Sequence, residues 1–246
     1  MKRIIKLVLY AAVAIQMPSI NAQEEAQPDS TRTNEFSLGG SLDSYFHKSF
    51  GTVEQAPRTS FSNLPGFSLG MINVVAMYSG KKSGYVADVV FGPRGSDAVF
   101  NAPLYSNSSG GSSSQIINQM YVYYQVTKQI KVSLGQFNTF LSYEVISPAK
   151  NFHYSTSYLF SYGPFNHTGL WTDIDLQNGW SAKLAVMNPT DYTEFNPFDS
   201  YTLGGQLGFT KQGRSMYLNA TYGDPDGKLQ VYDSIGSSSV GHAFQI

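Results

Sequence analysis

The sequence has no cysteine, few charges and no long apolar run beyond its first two dozen residues. The absence of cysteine from all 246 residues excludes a disulfide framework and any thiolate metal or redox site. Charged residues are 13% of the chain, roughly half the usual share, and without the three cations of residues 1–22 the net charge goes from −1 to −4, a mildly acidic balance that makes a poor nucleic-acid binder. After the N-terminus no stretch offers about 18 consecutive apolar residues. A membrane-crossing form of this chain must therefore be a barrel. Motif chemistry is missing as well. His47, His153, His167 and His242 show no HExxH or i,i+4 ligand spacing, and there is no GxSxG, Walker or dinucleotide loop. No catalytic, metal or cofactor residue is assigned, and no enzyme activity is expected. A Ser/His pairing of phospholipase type, from His153 or His167 with Ser155 or Ser157, is the remote alternative.

What is present begins with a leader. Residues 1–22 have a basic start (Lys2, Arg3, Lys6), an apolar run from Leu7 to Ile15 and a small residue, Ala22, before Gln23, which is the pattern of a secretory signal peptide. No cysteine follows it to carry a lipid. Residues 23–34 are polar and aperiodic and read as a flexible tail. The remainder, 35–246, reads as a single β domain.

Its signal is period two. Phe36, Leu38, Leu42 and Phe46 alternate with Ser37, Ser41, Asp43 and Tyr45. The same alternation places Phe67, Leu69, Met71, Val75 and Met77 on one apolar face, then Tyr85, Ala87, Val89 and Phe91 opposite Asp88. A Gly/Ser/Asn loop, about 93–114, precedes Met120, Val122 and Tyr124, and a tight hairpin leads to Ile130, Val132 and Leu134 against Lys131 and Ser133. Leu170 to Leu176 oppose Trp171, Asp173 and Asp175; an Asn178-Gly179 hairpin turn leads to Trp180–Val186 opposing Lys183; and two more strands run from Tyr201 and to Tyr222. About nine strands are visible, with a tenth beginning near His242, joined alternately by short and long connections. The chain looks C-terminally incomplete for a barrel of even strand number.

The apolar faces carry no Asp, Glu, Lys or Arg, as lipid contact demands, while Asp43, Asp88, Lys131, Asp173, Asp175 and Lys183 fall on the opposite faces. Runs of about 9–11 residues and aromatics at strand ends fit a tilted transmembrane strand with interfacial girdles. The expected fold is an all-β antiparallel transmembrane β-barrel of the outer-membrane type. One stretch breaks the pattern: around 138–165 neither strand nor helix period holds, and the segment is dense in aromatics with one Tyr143-Glu144 pair. It is expected to be a non-strand inset inside or across the barrel. Pore-lining or constriction candidates are Asp43, Asp88, Lys131, Tyr143, Glu144, Asp173, Asp175 and Lys183, with Glu144 alternatively a structural acid paired to Lys131, Lys150 or Lys183.

The run Gly135-Gln136-Phe137, Tyr143-Glu144, Asn151-Phe152-His153-Tyr154-Ser155 and Pro164-Phe165-Asn166-His167-Thr168-Gly169 resembles the outer-membrane β-barrel porin-2, or OmpL-like, family of Bacteroidetes-type bacteria. Gly40–Phe46 and Asp88-Val89-Val90-Phe91-Gly92-Pro93 resemble further elements of that family, and Thr156 departs from it where a basic residue is expected. The resemblance implies an outer-membrane channel for passive diffusion of small hydrophilic solutes, with outer-membrane lipid and those solutes as partners, no cofactor, no nucleic acid, and an open question of homo-oligomer or monomer. The alternatives are a non-channel structural barrel or adhesin with ligand-binding external loops, and a soluble secreted β-sandwich binding glycans through Tyr192, Phe195 and Phe198.

Overall fold

A computed structural model describes residues 34–50, 64–98, 116–141, 144–157, 160–161, 163–190, 192–196, 199–223 and 243–245. The leader, all but the last residue of the tail, and Tyr143 lie outside the described residues.

The strands are β1 (Glu35–His47), β2 (Gly66–Ser79), β3 (Ser83–Phe91), β4 (Ile117–Gln125), β5 (Ile130–Asn138), β6 (Asn166–Gln177), β7 (Trp180–Met187), β8 (Thr202–Lys211), β9 (Arg214–Gly223) and the short β10 (Ala243–Gln245). They form one antiparallel sheet in sequence order, each strand paired to the next. A sandwich would divide these strands between two packed sheets; this single meander rules that reading out. Among the described residues β1 pairs only with β2, so the sheet is open at that edge.

The short turns are all at one end. At two of them the residues take the left-handed conformation that a two-residue hairpin of matching twist requires: Asn178 and Gly179 (φ 54 and 89) and Gln212 and Gly213 (φ 52 and 74). Long connections, including the inset, leave from the other end.

One sheet face is exposed and mostly apolar. Phe36, Leu38, Leu42, Phe67, Leu69, Met120, Val122, Leu134, Leu184, Leu203, Met216 and Leu218 all lie on it. Between strand ends this outer face has no charged residue among those described. Aromatics pair across neighbouring strands near both ends of it: Phe46 with Phe67 at the long-connection end (4.8 Å), Tyr78 with Tyr85 (5.7 Å) and Trp180 with Phe209 (4.8 Å) at the tight-turn end. These are the two interfacial girdles of a transmembrane barrel.

Two strands depart from simple alternation, β4 at Asn118, which turns inward to Asp88 although Met120 faces out, and β2. In β2, Phe67 and Leu69 face out as expected, but Met71 is buried on the inner face, Val75 and Met77 pack against the inner cluster, and Ile72 and Val74 face out. The register slips here: Leu42 pairs with Ile72 whereas Ser44 pairs with Leu69. An extra residue in one strand reverses every later side chain. The cause is local. A Cβ at Gly70 would lie 1.6 Å from Asp43 Oδ2, so Asp43 occupies the space of a missing side chain, and one of its oxygens accepts the Met71 N–H at 3.0 Å.

Candidate functional site: the inset and the inner face

The non-strand segment lies between the ends of β5 and β6, at 139–165, matching the expected 138–165, and it folds onto the inner face. Its neck is closed by Thr139 N–H donating to Phe165 O (3.0 Å) and by Thr139 Oγ1 against His167 Nε2 (3.0 Å). The first limb then crosses β6 to β8. Phe140 lies parallel to Phe137 at 6.4 Å and beside the His167 ring at 5.5 Å, and Gln206 Nε2 donates to Phe140 O (3.0 Å). Gly204 makes this approach possible, since a Cβ there would stand 2.6 Å from Phe140 Cζ.

The second limb runs over β2 and β3. Ile146, Phe160 and Phe165 are buried with Met71, Val90 and Ala98. Asn151 clamps a 3-10 turn (Pro148–Lys150) by accepting the Val145 N–H (2.8 Å) and donating to Val145 O (2.7 Å). What fixes this limb to the wall is Arg94, on a five-residue helix α1 (Pro93–Asp97) that opens the Gly/Ser/Asn connection. The sequence pattern reads as loop there, because five residues are too few to show a helical period, and the structure places a short helix instead.

Arg94 Nε donates to Ile146 O at 2.6 Å, and its two terminal nitrogens donate to Tyr154 O at 3.4 and 3.3 Å. Its guanidinium carbon also lies 5.5 Å from the Tyr154 ring centroid. Burial pulls the guanidinium below its ordinary value and the Asp43 carboxylate opposes that shift; an arginine remains charged through such changes. Tyr154 continues the chain, its hydroxyl donating to Asp43 Oδ2 (2.5 Å) and its ring 5.5 Å from Tyr45. One connected set of groups, Arg94, Tyr154 and Asp43, therefore joins α1, the inset and β1.

The eight sequence candidates divide into separate groups. Asp43 is part of this latch. Asp88, deep on the inner face, accepts from Asn73 Nδ2, from Asn118 Nδ2 at 2.7 Å and from Gln119 Nε2 at 3.4 Å, so amides from β2 and β4 surround it. Lys131, Asp173 and Lys183 stand side by side on β5, β6 and β7. Asp173 is bridged by Lys131 at 3.3 Å and Lys183 at 2.7 Å, and accepts from Trp171 Nε1 at 3.1 Å. Both ammonium groups lie within 6 Å of aromatic rings, Tyr123 for Lys131, Phe137 and Trp171 for Lys183, which favours a cation where water is scarce. Asp175 is exposed near the tight-turn end and accepts the Gln177 N–H. Glu144 accepts from both Ser157 N–H (2.9 Å) and Ser157 Oγ, while Ser157 Oγ also accepts the Phe160 N–H at 3.2 Å. Glu144 thus braces the turn at Ser157–Ser161, and the lysines considered as its partners are engaged with Asp173 in two cases of three.

Sequence reasoning missed Arg94 and Tyr154. The sign that was available is a lone arginine directly after Phe91-Gly92-Pro93, in a chain with few charges. The contacts of His167 to Thr139 and of Ser157 to Glu144 are those of a neck and a turn brace.

A single antiparallel meander, apolar on the outside, girdled by aromatics and carrying its charges and a folded inset on the inside, defines a porin-type outer-membrane β-barrel. The family described as "Putative beta-barrel porin-2, OmpL-like" matches residues 35–244, and the chain belongs to that family. No curated protein and no solved structure matches it.

Proposed function

We propose that this barrel is a channel for passive diffusion of small hydrophilic solutes, narrowed by the inset at 139–165. The observation that supports this most is where the charges and the irregular backbone sit. Asp43, Asp88, Lys131, Asp173, Asp175 and Lys183 all belong to the face the inset covers, and irregular backbone at membrane depth is tolerated only against protein or lumen water. Glu144 then stands on the inset and holds its shape through Ser157, and Tyr143, its sequence neighbour outside the described residues, is proposed with it as a constriction residue. The charge-bearing inner wall sets selectivity, as rings of charged side chains do in other pores. The reading requires the free edge of β1 to be paired, since lipid leaves no backbone group to water. The leader at 1–22 is the export signal in this scheme.

The test is conductance of the folded full-length protein in a planar bilayer, with heat-modifiable gel mobility as the check of folding. Stepwise conductance supports a channel. A correctly folded barrel with no conductance in any salt would sink it and leave the plugged structural barrel, a reading favoured by how widely the inset spreads, from Arg94 beside β3 to Gln206 on β8.

A further inference from the structure

The tight-turn end carries a cluster of cations that the channel does not use. Lys81 and Lys82 lie in the β2–β3 turn, Lys128 in the β4–β5 turn, and Lys211 and Arg214 flank the β8–β9 turn; all five are exposed. The first two turns are neighbours, because Gln125 N–H donates to Lys82 O at 2.6 Å. Thr127 Oγ1 accepts from Gln129 and Ile130 N–H (3.2 and 3.1 Å) and fixes the turn that presents Lys128. The acids at this end, Glu35 and Asp175, occupy strand positions of inner-face parity, alternating with the outward Phe36 and with the outward Ile174 and Leu176.

Next to the turns that carry Lys81, Lys82 and Lys128 the outer wall has a shallow groove. A shallow open depression of about 520 Å³ lies over β3 to β6, walled by the exposed Tyr85, Val122, Tyr124, Leu134 and Leu170 with the half-buried Val132, and floored by Gly84, Tyr123 and Ser133. Its upper end lies beside the two lysine-bearing turns, since Ser83 with Tyr124 is the last pair of β3 and β4, and Tyr124 with Val132 is one pair short of the last, Gln125 with Lys131. Cations above, phenolic rings at the interface and an apolar trough beneath reproduce in order the parts of one lipid molecule.

We propose that this groove is a binding site for an anionic phospholipid of the leaflet at the tight-turn end, its phosphate on Lys81, Lys82 and Lys128 and an acyl chain along Val122, Val132, Leu134 and Leu170. Charge complementarity selects the headgroup; the apolar trough selects a lipid over a free phosphate. The site is on the outer wall and is independent of whether the lumen conducts.

Native mass spectrometry of the folded full-length protein in detergent, loaded with phosphatidylglycerol or phosphatidylcholine, tests it without any variant. Preferential retention of phosphatidylglycerol is expected, and equal retention overturns the proposal. Each Lys→Gln change among K81Q, K82Q and K128Q is expected to lower the affinity for phosphatidylglycerol roughly fivefold, the effect of one basic residue near an anionic surface. K211Q/R214Q leaves this site intact. Val122→Trp fills the trough and is expected to release the lipid with all three lysines present. Unchanged retention in the triple glutamine variant or in Val122→Trp, or displacement of the lipid by equimolar inorganic phosphate, contradicts the assignment.

Discussion

The wall and the inset are held by different kinds of interaction. The wall is a repeating ladder: β5 and β6 pair residue for residue from Ile130 with Ile174 to Asn138 with Asn166, and losing one side chain leaves the backbone pairing in place. The inset has no ladder. A few side chains from distant parts of the sequence fix it, Arg94 52 residues from Ile146 and Asp43 111 residues from Tyr154. The wall is therefore robust and repetitive, and the inset is concentrated on a few contacts that single substitutions can remove.

The sharpest way to separate them is Arg94→Ala. It strips the donors from two carbonyls, Ile146 O and Tyr154 O, and an unsatisfied buried acceptor costs about 1–3 kcal/mol. The expected loss is about 4 kcal/mol of inset stability. Hydrogen exchange should rise across 145–157 while β4 to β7 stay protected; loss of protection in both regions together would mean that they are one cooperative unit. The converse substitution is Leu184→Lys, on the outer face at the middle of β7. A lysine against mid-bilayer lipid costs about 2–4 kcal/mol, to be read as lowered stability of the folded barrel in vesicles with inset protection falling only in step.

How much of this could be read in advance follows the same division. Alternation along β3 to β9 set the outward residues correctly, because a strand's period is a local property of the chain. It failed at Gly70-Met71, where the phase is set by Asp43 reaching in from another strand; nothing local announces such a bulge. The limits of the inset were legible as a loss of period between Asn138 and Asn166. Its anchoring was not, since the Arg94 to Tyr154 to Asp43 connection links three positions with no sequence relation. Lys131, Asp173 and Lys183 were placed on the right faces by parity, yet their meeting depends on the register of β5, β6 and β7, which no single strand encodes.

Smaller effects refine the comparison. Tyr154→Phe removes the hydroxyl from Asp43 while keeping the ring over Arg94, and a hydrogen bond to a charged group is worth about 1.5–3 kcal/mol. Its exchange phenotype should therefore match that of Arg94→Ala in location and fall below it in size. Gly204→Ala places a methyl against Phe140 Cζ and Met187 Cε, and overpacking of this kind costs about 1–3 kcal/mol. It is expected to loosen the first limb alone, with faster exchange near Phe140 and none of the change at Tyr154.

The most direct test of an inset that narrows a pore is conductance through one folded barrel, wild type against Arg94→Ala, in the same planar bilayer and salt. Loosening the latch should raise the unitary conductance or the open fraction with no change in heat-modifiable mobility. Identical conductance from both proteins, in a variant whose inset is shown by exchange to be released, would contradict the placement of 139–165 across the conducting path.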